Sequence, residues 1–297
     1  MLMGVDDAMT RMGTESEEGR AEVRHIVSLA LAEDLDSAGD ITSKAIFGPD
    51  EAGAARIVAR EGCTVSGMAA AAEVCLQVDP DLSFLPLIHD GERAPAGAEV
   101  ARLDGRILSI LAAERTMLNF LSRLSGIATL TAAFVAAAGA KTRVAATRKT
   151  DPGMRLLEKQ AVVHGGGELH RLGLYDAVLI KDNHIAAAGG VAAAIARVRE
   201  SLGGGIEIEV EVDDAAQLEE ALAAGVGRIL LDNMAADEVA ACVRTAGGRA
   251  VIEASGGIGL AEAASYAAAG VDVISAGALT RSASGVDFSL EAVADGR

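Results

Sequence analysis

Tryptophan is absent from the sequence, and aromatic residues make up only 2% of its 297 positions. Because 51% of the residues are nonetheless hydrophobic, the core must be packed closely from small aliphatic side chains, which favours helices on sheets. The length exceeds that of a usual single domain, so one large domain or two smaller ones are expected.

Positive charge is also scarce. The sequence has 26 Lys and Arg against 43 Asp and Glu, a formal net charge of -17. This balance argues against a sequence-independent nucleic-acid binder, because such a protein needs a broad basic face. An anionic ligand must instead be held by a local cluster of cations. Residues 147–185 contain three of the five histidines and six Lys or Arg residues, which makes them the first candidate.

Cysteine is rare, and Cys63, Cys75 and Cys242 have no CxxC spacing, so the thiols are predicted to be reduced in a cytoplasmic protein. Residues 1–20 lack the basic and apolar segments of a secretory signal and are predicted to form a frayed tail. The longest weakly polar run, residues 127–140, is shorter than the roughly 20 residues that span a bilayer. We therefore expect a soluble protein with no membrane partner.

The first half of the sequence predicts an antiparallel sheet that carries a helix. Helical spacing of apolar residues covers 22–31, and strand-length runs bounded by Gly, Pro or Asp follow at 55–61, 63–67, 82–94 and 98–105. From residue 107 to 138 the pattern is helical again. Gly126 is predicted to separate two helices there.

Beyond residue 141 the sequence alternates apolar runs with helical segments. The runs are RVAAT, DAVLIKD, IEIEVEV, GRILLDN, RAVIEAS and VDVISAG. Strands that alternate with helices at this period indicate parallel βα units, and so many in succession favour a barrel. An open, doubly wound sheet is the alternative.

The run IEIEVEV alternates apolar and acidic residues strictly. If helices cover the apolar face, Glu207, Glu209 and Glu211 point into a barrel lumen, where carboxylates need cations or hydroxyls as partners. The alternative is an edge strand whose glutamate face is in water.

Active sites of βα barrels lie at the carboxyl ends of the strands. Charged residues and glycines follow the predicted strands, namely Thr147, Arg148, Lys149, Lys181, Asp182, Asn183, His184, Glu211, Asp213, Asp232, Asn233, Ser255, Gly256, Gly257, Ala276, Gly277 and Ala278. The SGG and AGA turns follow the last two strands, where barrels often bind phosphate through main-chain N–H groups. Either turn by itself is equally well explained as a tight βα connection.

Five cationic side chains can supply the counter-charge for further anionic groups: Arg148, Lys149, His170, Arg171 and Lys181. Any one of them can instead be half of a structural ion pair, but the convergence of five at one rim favours a binding role for the group. Glu211 and Asp232 are suited to ribose hydroxyls or hydrated Mg²⁺.

Two further histidines have structural explanations. His164 closes a predicted helix, where a cationic side chain interacts favourably with the helix dipole. His184 is expected to orient a neighbour or cap the following helix. No His or Cys spacing is typical of a zinc site.

Seven segments occur in an order that resembles one family: TRKTDPG, LLEKQAV, GGGELHRLGLYDAVLIKDNHI, EVEVD, LLDN, EASGGI and VDVISAGAL. The family is nicotinate-nucleotide pyrophosphorylase (carboxylating), also called quinolinate phosphoribosyltransferase. The resemblance covers nearly the whole sequence, and its HRLGLYDAVLIKDNHI segment is highly specific.

The resemblance implies an α/β protein with an N-terminal α/β sandwich, containing an antiparallel sheet, over residues 20–125. An incomplete (β/α) barrel, the catalytic domain, is implied over residues 126–297, with the last residues packing back on the N-terminal domain. It further implies a cytoplasmic homodimer with a shared active site, assembled as a dimer or as a hexamer of dimers.

The resemblance also implies a reaction. Quinolinate and phosphoribosyl pyrophosphate give nicotinate mononucleotide, pyrophosphate and CO₂ with Mg²⁺ and no organic cofactor, as a step of NAD biosynthesis. The implied quinolinate-binding residues are Arg148, His170, Arg171, Lys181 and Arg115 of the partner subunit. The residues implied for the phosphoribosyl group are Lys149, Glu211, Asp232, Ser255, Gly256, Gly257, Ala276 and Gly277. Lys149, Lys181, Glu211 and Asp232 are the implied catalytic residues, and Glu211 and Asp232 the implied magnesium ligands, directly or through water.

Two positions depart from the family pattern. Ala146 stands where relatives commonly have Asp, and Asp151 stands where the position is usually neutral. The first departure leaves a related molybdenum-associated pyrophosphorylase-like paralogue, with another anionic acceptor, as an alternative. A non-catalytic barrel that binds a phosphorylated metabolite is the other.

Overall fold

The computed structural model describes residues 16–203 and 205–293. The frayed tail predicted for residues 1–20 falls mostly on residues 1–15, outside the described ranges. Its residues 17–20 are helical, so the prediction is wrong there. The helices are α1 Glu17–Leu35, α2 Ile41–Ile46, α3 Met68–Val78, α4 Ile107–Ala138, α5 Arg155–His164, α6 Asp182–Ala188, α7 Val191–Leu202, α8 Ala215–Ala223, α9 Ala236–Ala246, α10 Leu260–Ala268 and α11 Ala278–Arg281. The strands are β1 Ala52–Ala59, β2 Cys63–Thr64, β3 Ser83–Pro86, β4 Arg93–Ala94, β5 Glu99–Arg106, β6 Arg143–Ala145, β7 Val178–Ile180, β8 Ile208–Val212, β9 Arg228–Asp232, β10 Val251–Ser255, β11 Val273–Ser275 and β12 Phe288–Val293.

One compact unit contains an antiparallel sheet and comprises residues 16–132, 151–166 and 283–293 of the described chain. Its strand order is β12-β1-β5-β3, and every neighbouring pair is antiparallel. The antiparallel sheet predicted from the alternating runs is therefore confirmed. The run at 63–67 contributes only β2, which pairs with β4 in a separate two-stranded ladder.

Helix α4 is continuous, so the predicted break at Gly126 is wrong. A Cβ atom at Gly126 would lie 2.0 Å from the carbonyl oxygen of Ser284. The glycine therefore permits a close approach of the chain to the helix, and it does not end the helix. Next to this contact, the Val286 N–H donates to the carbonyl of Ser122 at 3.0 Å.

Helix α4 is also longer than the longest weakly polar run identified in the sequence, residues 127–140. By length and composition α4 is long enough to cross a bilayer, but half of its most apolar 18-residue window is buried inside the protein. Core helices of soluble proteins share these properties, so the helix is weak evidence for a membrane span.

His164 ends helix α5, as predicted. Its surroundings are defined by burial and by a neighbouring hydroxyl group, and not by the predicted interaction with the helix dipole. Its Nδ1 lies 2.8 Å from the Ser66 hydroxyl. Burial lowers the pKa of His164, with Asp90 acting in the opposite direction. The ring is therefore favoured in its neutral form, as part of the packing of the antiparallel unit.

The second compact unit contains a six-stranded parallel sheet and comprises residues 133–150, 167–203 and 205–282. Its strand order is β6-β11-β10-β9-β8-β7. From β7 to β11 each strand pairs with the next along the chain, and the first strand, β6, then pairs with the last, β11. This order is that of a barrel, whereas a doubly wound sheet reverses direction at its centre. Within the described ranges β6 and β7 do not pair, so the barrel is incomplete, as predicted.

Strand β8 lies between β7 and β9, so the alternative of an edge strand is wrong. Glu209 and Glu211 are buried on it, with 5% and 7% of their surface exposed. Glu207 precedes the strand and is exposed. Two of the three alternating glutamates are therefore buried as predicted.

The three thiols are free and buried, as predicted. Burial raises the pKa of Cys63 to about 11 and that of Cys75 to about 12. Such thiols are inert packing groups.

Candidate active site

The carboxyl ends of the parallel strands bring most of the predicted site residues to one edge of the sheet. Asp232 of β9 is in register with Ser255 of β10. On β8, Glu211 comes two residues after Glu209, which is in register with Arg228 of β9. Residues at or directly after the strand ends are Thr147, Arg148, Lys149, Lys181, Glu211, Asp232, Ser255, Gly256, Gly257, Ala276 and Gly277. The predicted rim of charged residues and small turns is therefore formed within one unit.

Two arginines lie close together in this unit. Arg171 is 6% exposed, and its pKa is lowered by burial and then by the positive charge of Arg148. Glu209, Asp176 and Glu211 oppose this lowering. The Nε of Arg148 is buried and has no hydrogen-bond partner among the described residues. A buried donor without a partner beside a second guanidinium is suited to a bound carboxylate.

The loop that carries Arg171 is held by main-chain hydrogen bonds. Asp176 accepts from the N–H groups of Leu172, at 2.5 Å, and Gly173, at 2.9 Å. At the start of the loop, the Glu168 N–H donates to the carbonyl of Val144 on β6 at 2.7 Å. This pairing joins the loop to the strand that leads to Arg148.

Lysines and carboxylates also meet at this rim. Lys181 forms an ion pair with Glu211, and its side chain is 42% exposed. The pKa of Asp232 is raised by burial, while the charges of Lys181 and Lys149 act to lower it. Carboxylate oxygens and ammonium groups are therefore both within reach of a polar ligand here.

Lys149 is held through its main chain. Its N–H donates to the Thr147 hydroxyl at 3.1 Å, and its carbonyl accepts from the Thr280 hydroxyl at 2.6 Å. A Cβ atom at Gly277 would lie 2.8 Å from Cδ of Lys149. The glycine therefore leaves space for the lysine side chain at the end of β11.

The turn after β10 requires glycine. Gly256 has a φ of +97°, and a Cβ atom there would lie 2.3 Å from Oδ1 and 2.5 Å from the main-chain nitrogen of Asn233. Gly257 also has a positive φ, +66°, but a Cβ atom there would meet nothing within 4 Å. The SGG turn thus approaches the β9 loop closely at its first glycine and is open at its second.

Comparisons with known proteins assign this geometry to a family. The profile described as "Quinolinate phosphoribosyl transferase, N-terminal domain" matches residues 40–125, and the corresponding C-terminal domain profile matches residues 127–291. The chain belongs to the quinolinate phosphoribosyltransferase family.

Relatives in this family are similar over most of their length. Quinolinate phosphoribosyltransferase [decarboxylating] 1b of Nicotiana tabacum is 40% identical over 288 residues, covering 91% of this chain and 82% of the relative. A probable nicotinate-nucleotide pyrophosphorylase [carboxylating] of Synechocystis sp. is 41% identical, covering 89% and 90%. The solved nicotinate-nucleotide pyrophosphorylase of Francisella tularensis aligns with a TM-score of 0.88 at 39% identity, covering 92% of this chain and 96% of that chain.

His184 of this quinolinate phosphoribosyltransferase family member caps a helix. It lies in the first turn of α6 and is exposed. Its Nδ1 accepts a hydrogen bond from the N–H of Lys181 at 2.9 Å. The predicted capping role is confirmed, and it orients the main chain that carries Lys181.

Arg115, predicted to act across subunits, belongs to the other compact unit of this family member. It is exposed on α4 and lines a cavity of about 220 Å³. The remaining lining residues include Ala30, Glu33, Asp34, Thr116, Asn119, Phe120, Arg123 and Met154. Its contribution to a shared site stays a prediction.

The two positions that depart from the family pattern have clear structural surroundings. Asp151 forms an ion pair with Arg123 at 3.0 Å, so its negative charge is balanced within the antiparallel unit. Ala146 is fully buried, and its N–H donates to the carbonyl of Glu168 at 3.0 Å. The main chain at Ala146 therefore takes part in the pairing between the end of β6 and the loop that carries Arg171.

Sequence reasoning placed Glu209 inside the barrel but missed Glu253 and Arg228, which complete a buried charged group with Glu209 and His170. Nε2 of His170 lies 2.8 Å from Oε2 of Glu209 and 3.6 Å from Oε1 of Glu253. Arg228 lies 3.1 Å from Glu253 and 3.6 Å from Glu209. A signal was present in the run RAVIEAS, where Glu253 stands two residues before Ser255, so the two share one face of the strand.

Proposed function

We propose that this chain transfers the phosphoribosyl group of phosphoribosyl pyrophosphate to the ring nitrogen of quinolinate. Pyrophosphate leaves, the adjacent carboxylate is lost as CO₂, and nicotinate mononucleotide, an intermediate in NAD biosynthesis, is formed. The relatives named above supply the activity. The observation in this chain that carries it is the pair of neighbouring arginines, with the unpartnered Nε of Arg148. A planar molecule with two adjacent carboxylates matches such a pair.

The quinolinate subsite comprises Arg148, His170, Arg171 and Lys181, together with Arg115 of the partner subunit. Arg148 and Arg171 bind the carboxylates, since guanidinium groups can donate two parallel hydrogen bonds. Lys181, already paired with Glu211, adds positive charge at the edge of the pocket. The main chain that carries Arg171 and Lys181 is held by hydrogen bonds before substrate arrives, so these two groups are preorganised for anion binding.

The phosphoribosyl subsite lies at the ends of β8 to β11. Its residues are Lys149, Glu211, Asp232, Ser255, Gly256, Gly257, Ala276 and Gly277. The two small turns present main-chain N–H groups to the 5′-phosphate, as in other barrels. Lys149 faces the pyrophosphate, and the carboxylates accept hydrogen bonds from the ribose hydroxyls.

The transfer needs electrostatic support more than proton chemistry. The pyridine nitrogen attacks C1 of ribose as the C1–O bond to pyrophosphate breaks, through an oxocarbenium-like state. The quaternised ring nitrogen then accepts the electron pair of the breaking C–CO₂ bond, and a proton replaces CO₂ on the ring carbon. Because the ring itself is the electron sink, we propose no organic cofactor.

Glu211 and Asp232 fit a magnesium ion by their chemistry. Mg²⁺ prefers oxygen ligands and is usually held by one or two carboxylates plus substrate phosphates. Asp232 is the better direct ligand, because Glu211 is already paired with Lys181. When bound, the ion neutralises charge on the leaving pyrophosphate.

We further propose a cytoplasmic homodimer in which Arg115 of each subunit completes the site of its partner, with a hexamer of dimers as the higher assembly. Mixing Arg115→Ala with Lys181→Ala chains then tests the shared site. After proven subunit exchange, hybrid dimers should regain activity at the one site that carries neither substitution. No recovery would contradict the shared site.

The activity is tested by supplying quinolinate, phosphoribosyl pyrophosphate and Mg²⁺ and measuring nicotinate mononucleotide and CO₂ together. We expect equimolar products and no reaction when nicotinate, with a single carboxylate, replaces quinolinate. Product from another acceptor alone would favour the molybdenum-associated paralogue, and absence of any product from folded protein would favour a phosphometabolite-binding barrel. The names of the relatives favour neither alternative.

A further inference from the structure

Two buried glutamates and an arginine lie against His170. Side-chain exposure is 7% for Glu209, 1% for Glu253 and 24% for Arg228, and they come from three adjacent strands, β8, β10 and β9. Burying two carboxylates in contact is costly unless charges and protons compensate. The group therefore needs a role or a precise set of partners.

The hydrogen bonds around His170 define its tautomer. Nδ1 accepts from the main-chain N–H of Arg171 at 3.0 Å, so this nitrogen carries no proton. The ring proton is then on Nε2, which donates to Oε2 of Glu209 at 2.8 Å. Both ring nitrogens are thus engaged within the protein, and the ring links Glu209 to the main chain at Arg171.

Arg228 lies between the two carboxyl groups, 3.6 Å from Oε1 of Glu209 and 3.1 Å from Oε2 of Glu253. Oε1 of Glu209 and Oε1 of Glu253 accept no hydrogen bond from the described residues. One oxygen of each carboxyl group and one ring nitrogen of His170 all lie within 4.8 Å of one another. The three side chains therefore form one compact buried group around the His170 ring.

We propose that Glu209, Glu253 and Arg228 are positioning residues for the transfer reaction: they hold the His170 ring, and through it the main chain at Arg171, in the orientation that the quinolinate subsite needs. The inference rests on the proposed function. His170 then lines the subsite as a neutral, internally bonded ring, and the arginines provide the charge that binds substrate.

A matched pair of variants measures this role. Glu209→Gln changes the buried residue, and Glu207→Gln makes the same change at the exposed glutamate two residues earlier. We expect Glu209→Gln to raise KM for quinolinate about tenfold, with a smaller change in kcat and in KM for phosphoribosyl pyrophosphate. Glu207→Gln should keep wild-type constants. A Glu209→Gln enzyme with unchanged KM for quinolinate would overturn the proposal.

Two substitutions of His170 separate its nitrogens. The amide nitrogen of Gln reaches the position of Nε2, whereas that of Asn lies near Nδ1. His170→Gln should therefore retain clearly more kcat/KM than His170→Asn. Equal values, or the reverse order, would show that the Nε2 contact with Glu209 does not matter and would contradict the proposal.

A spectroscopic measurement does not depend on activity. Long-range ¹H–¹⁵N spectra of the labelled wild-type chain should show His170, assigned by its loss in His170→Gln, as the Nε2–H tautomer. Glu209→Gln should shift it toward a mixture. An imidazolium or Nδ1–H form in the wild type would overturn the proposal. Binding of one Zn²⁺ or Mn²⁺ per wild-type chain that is lost in Glu253→Gln would also overturn it. Failure of the proposed function is distinct, because the wild type itself would then form no nicotinate mononucleotide.

Discussion

Two arginine clusters in this chain contain similar residues but differ in their hydrogen bonding. The arginine donors of one cluster are paired with carboxylates, whereas one buried donor of the other has no partner among the described residues. In the antiparallel unit, Arg123 donates to Glu158 from Nε at 3.0 Å and from Nη2 at 2.7 Å, and Nη2 also donates to Asp151 at 3.0 Å. In the parallel unit, Arg148 has a buried Nε with no partner among the described residues, and Arg171 adds a second positive charge.

The difference separates a structural ion pair from a proposed binding site. Glu158 is fully buried, so Arg123 is needed to balance it in the folded protein. At Arg148 the buried Nε has no partner among the described residues, which is the state that the proposed quinolinate subsite requires. Burial and charge are common to both clusters, so the unsatisfied donor is the feature that distinguishes the proposed binding site.

The largest effect on stability is expected at the satisfied cluster. Arg123→Ala leaves the buried Glu158 without its main cation, so the free energy of unfolding should fall by about 3 kcal/mol, as measured by urea denaturation. Arg102→Ala is the control, because it removes an arginine from an exposed pair with Glu99 and should leave the unfolding midpoint unchanged. Equal midpoints for both variants would remove the distinction between the clusters.

Arg148→Ala should have the reverse profile. We expect kcat/KM for quinolinate to fall about 10²- to 10³-fold, while the unfolding midpoint stays the same or rises, because a like-charge contact with Arg171 is removed. Arg148→Lys should recover only part of the activity, since an ammonium group lacks the planar fork of a guanidinium. If instead Arg148→Ala unfolds as readily as Arg123→Ala, Arg148 is structural.

A smaller effect concerns pH. Burial raises the pKa of Glu158 despite Arg123, so the native state binds this proton more tightly than the unfolded state. The contribution of Glu158 to stability is therefore complete below pH 4.5 and is lost as the pH rises through the folded pKa. Unfolding free energies measured against pH should show a weaker decline in Glu158→Gln than in the wild type.

Asp79 provides a control of opposite sign for this measurement. Hydrogen bonds from Ser109 and Arg106 lower its pKa, so its contribution is present above pH 3.8 and is lost as the pH falls. Asp79→Asn should therefore weaken the loss of stability at acid pH. If Glu158→Gln and Asp79→Asn both change the unfolding free energy on the acid side of the pH profile, or both on the alkaline side, the comparison is contradicted.

Much of the fold followed from local patterns. Alternating runs indicated the antiparallel sheet, and strands separated by helices indicated the parallel units of an incomplete barrel. Since each strand end was visible in the sequence, residues such as Lys149, Lys181 and Asp232 were expected at one rim, which is where the structure places them. Periodicity and turn chemistry act over a few residues, so they are readable before folding.

Other features could not be read in this way. Gly126 was interpreted as a helix break, but its reason is a close contact with Ser284, 158 positions further along the chain. The partners of Glu253 are likewise remote in sequence, and its polar environment became visible only when β8, β9 and β10 were placed side by side. Long-range contacts of this kind leave a weak trace in any local window.

The sequence by itself determined where the strands end, which small residues form the turns and which cations share the rim. Only the tertiary structure decided which of those cations are already paired, which groups contact the two ring nitrogens of His170 and which carboxyl groups are buried against it. The reason is physical: a strand or turn depends on neighbouring residues, whereas hydrogen-bond saturation and burial depend on atoms that only the folded chain brings together.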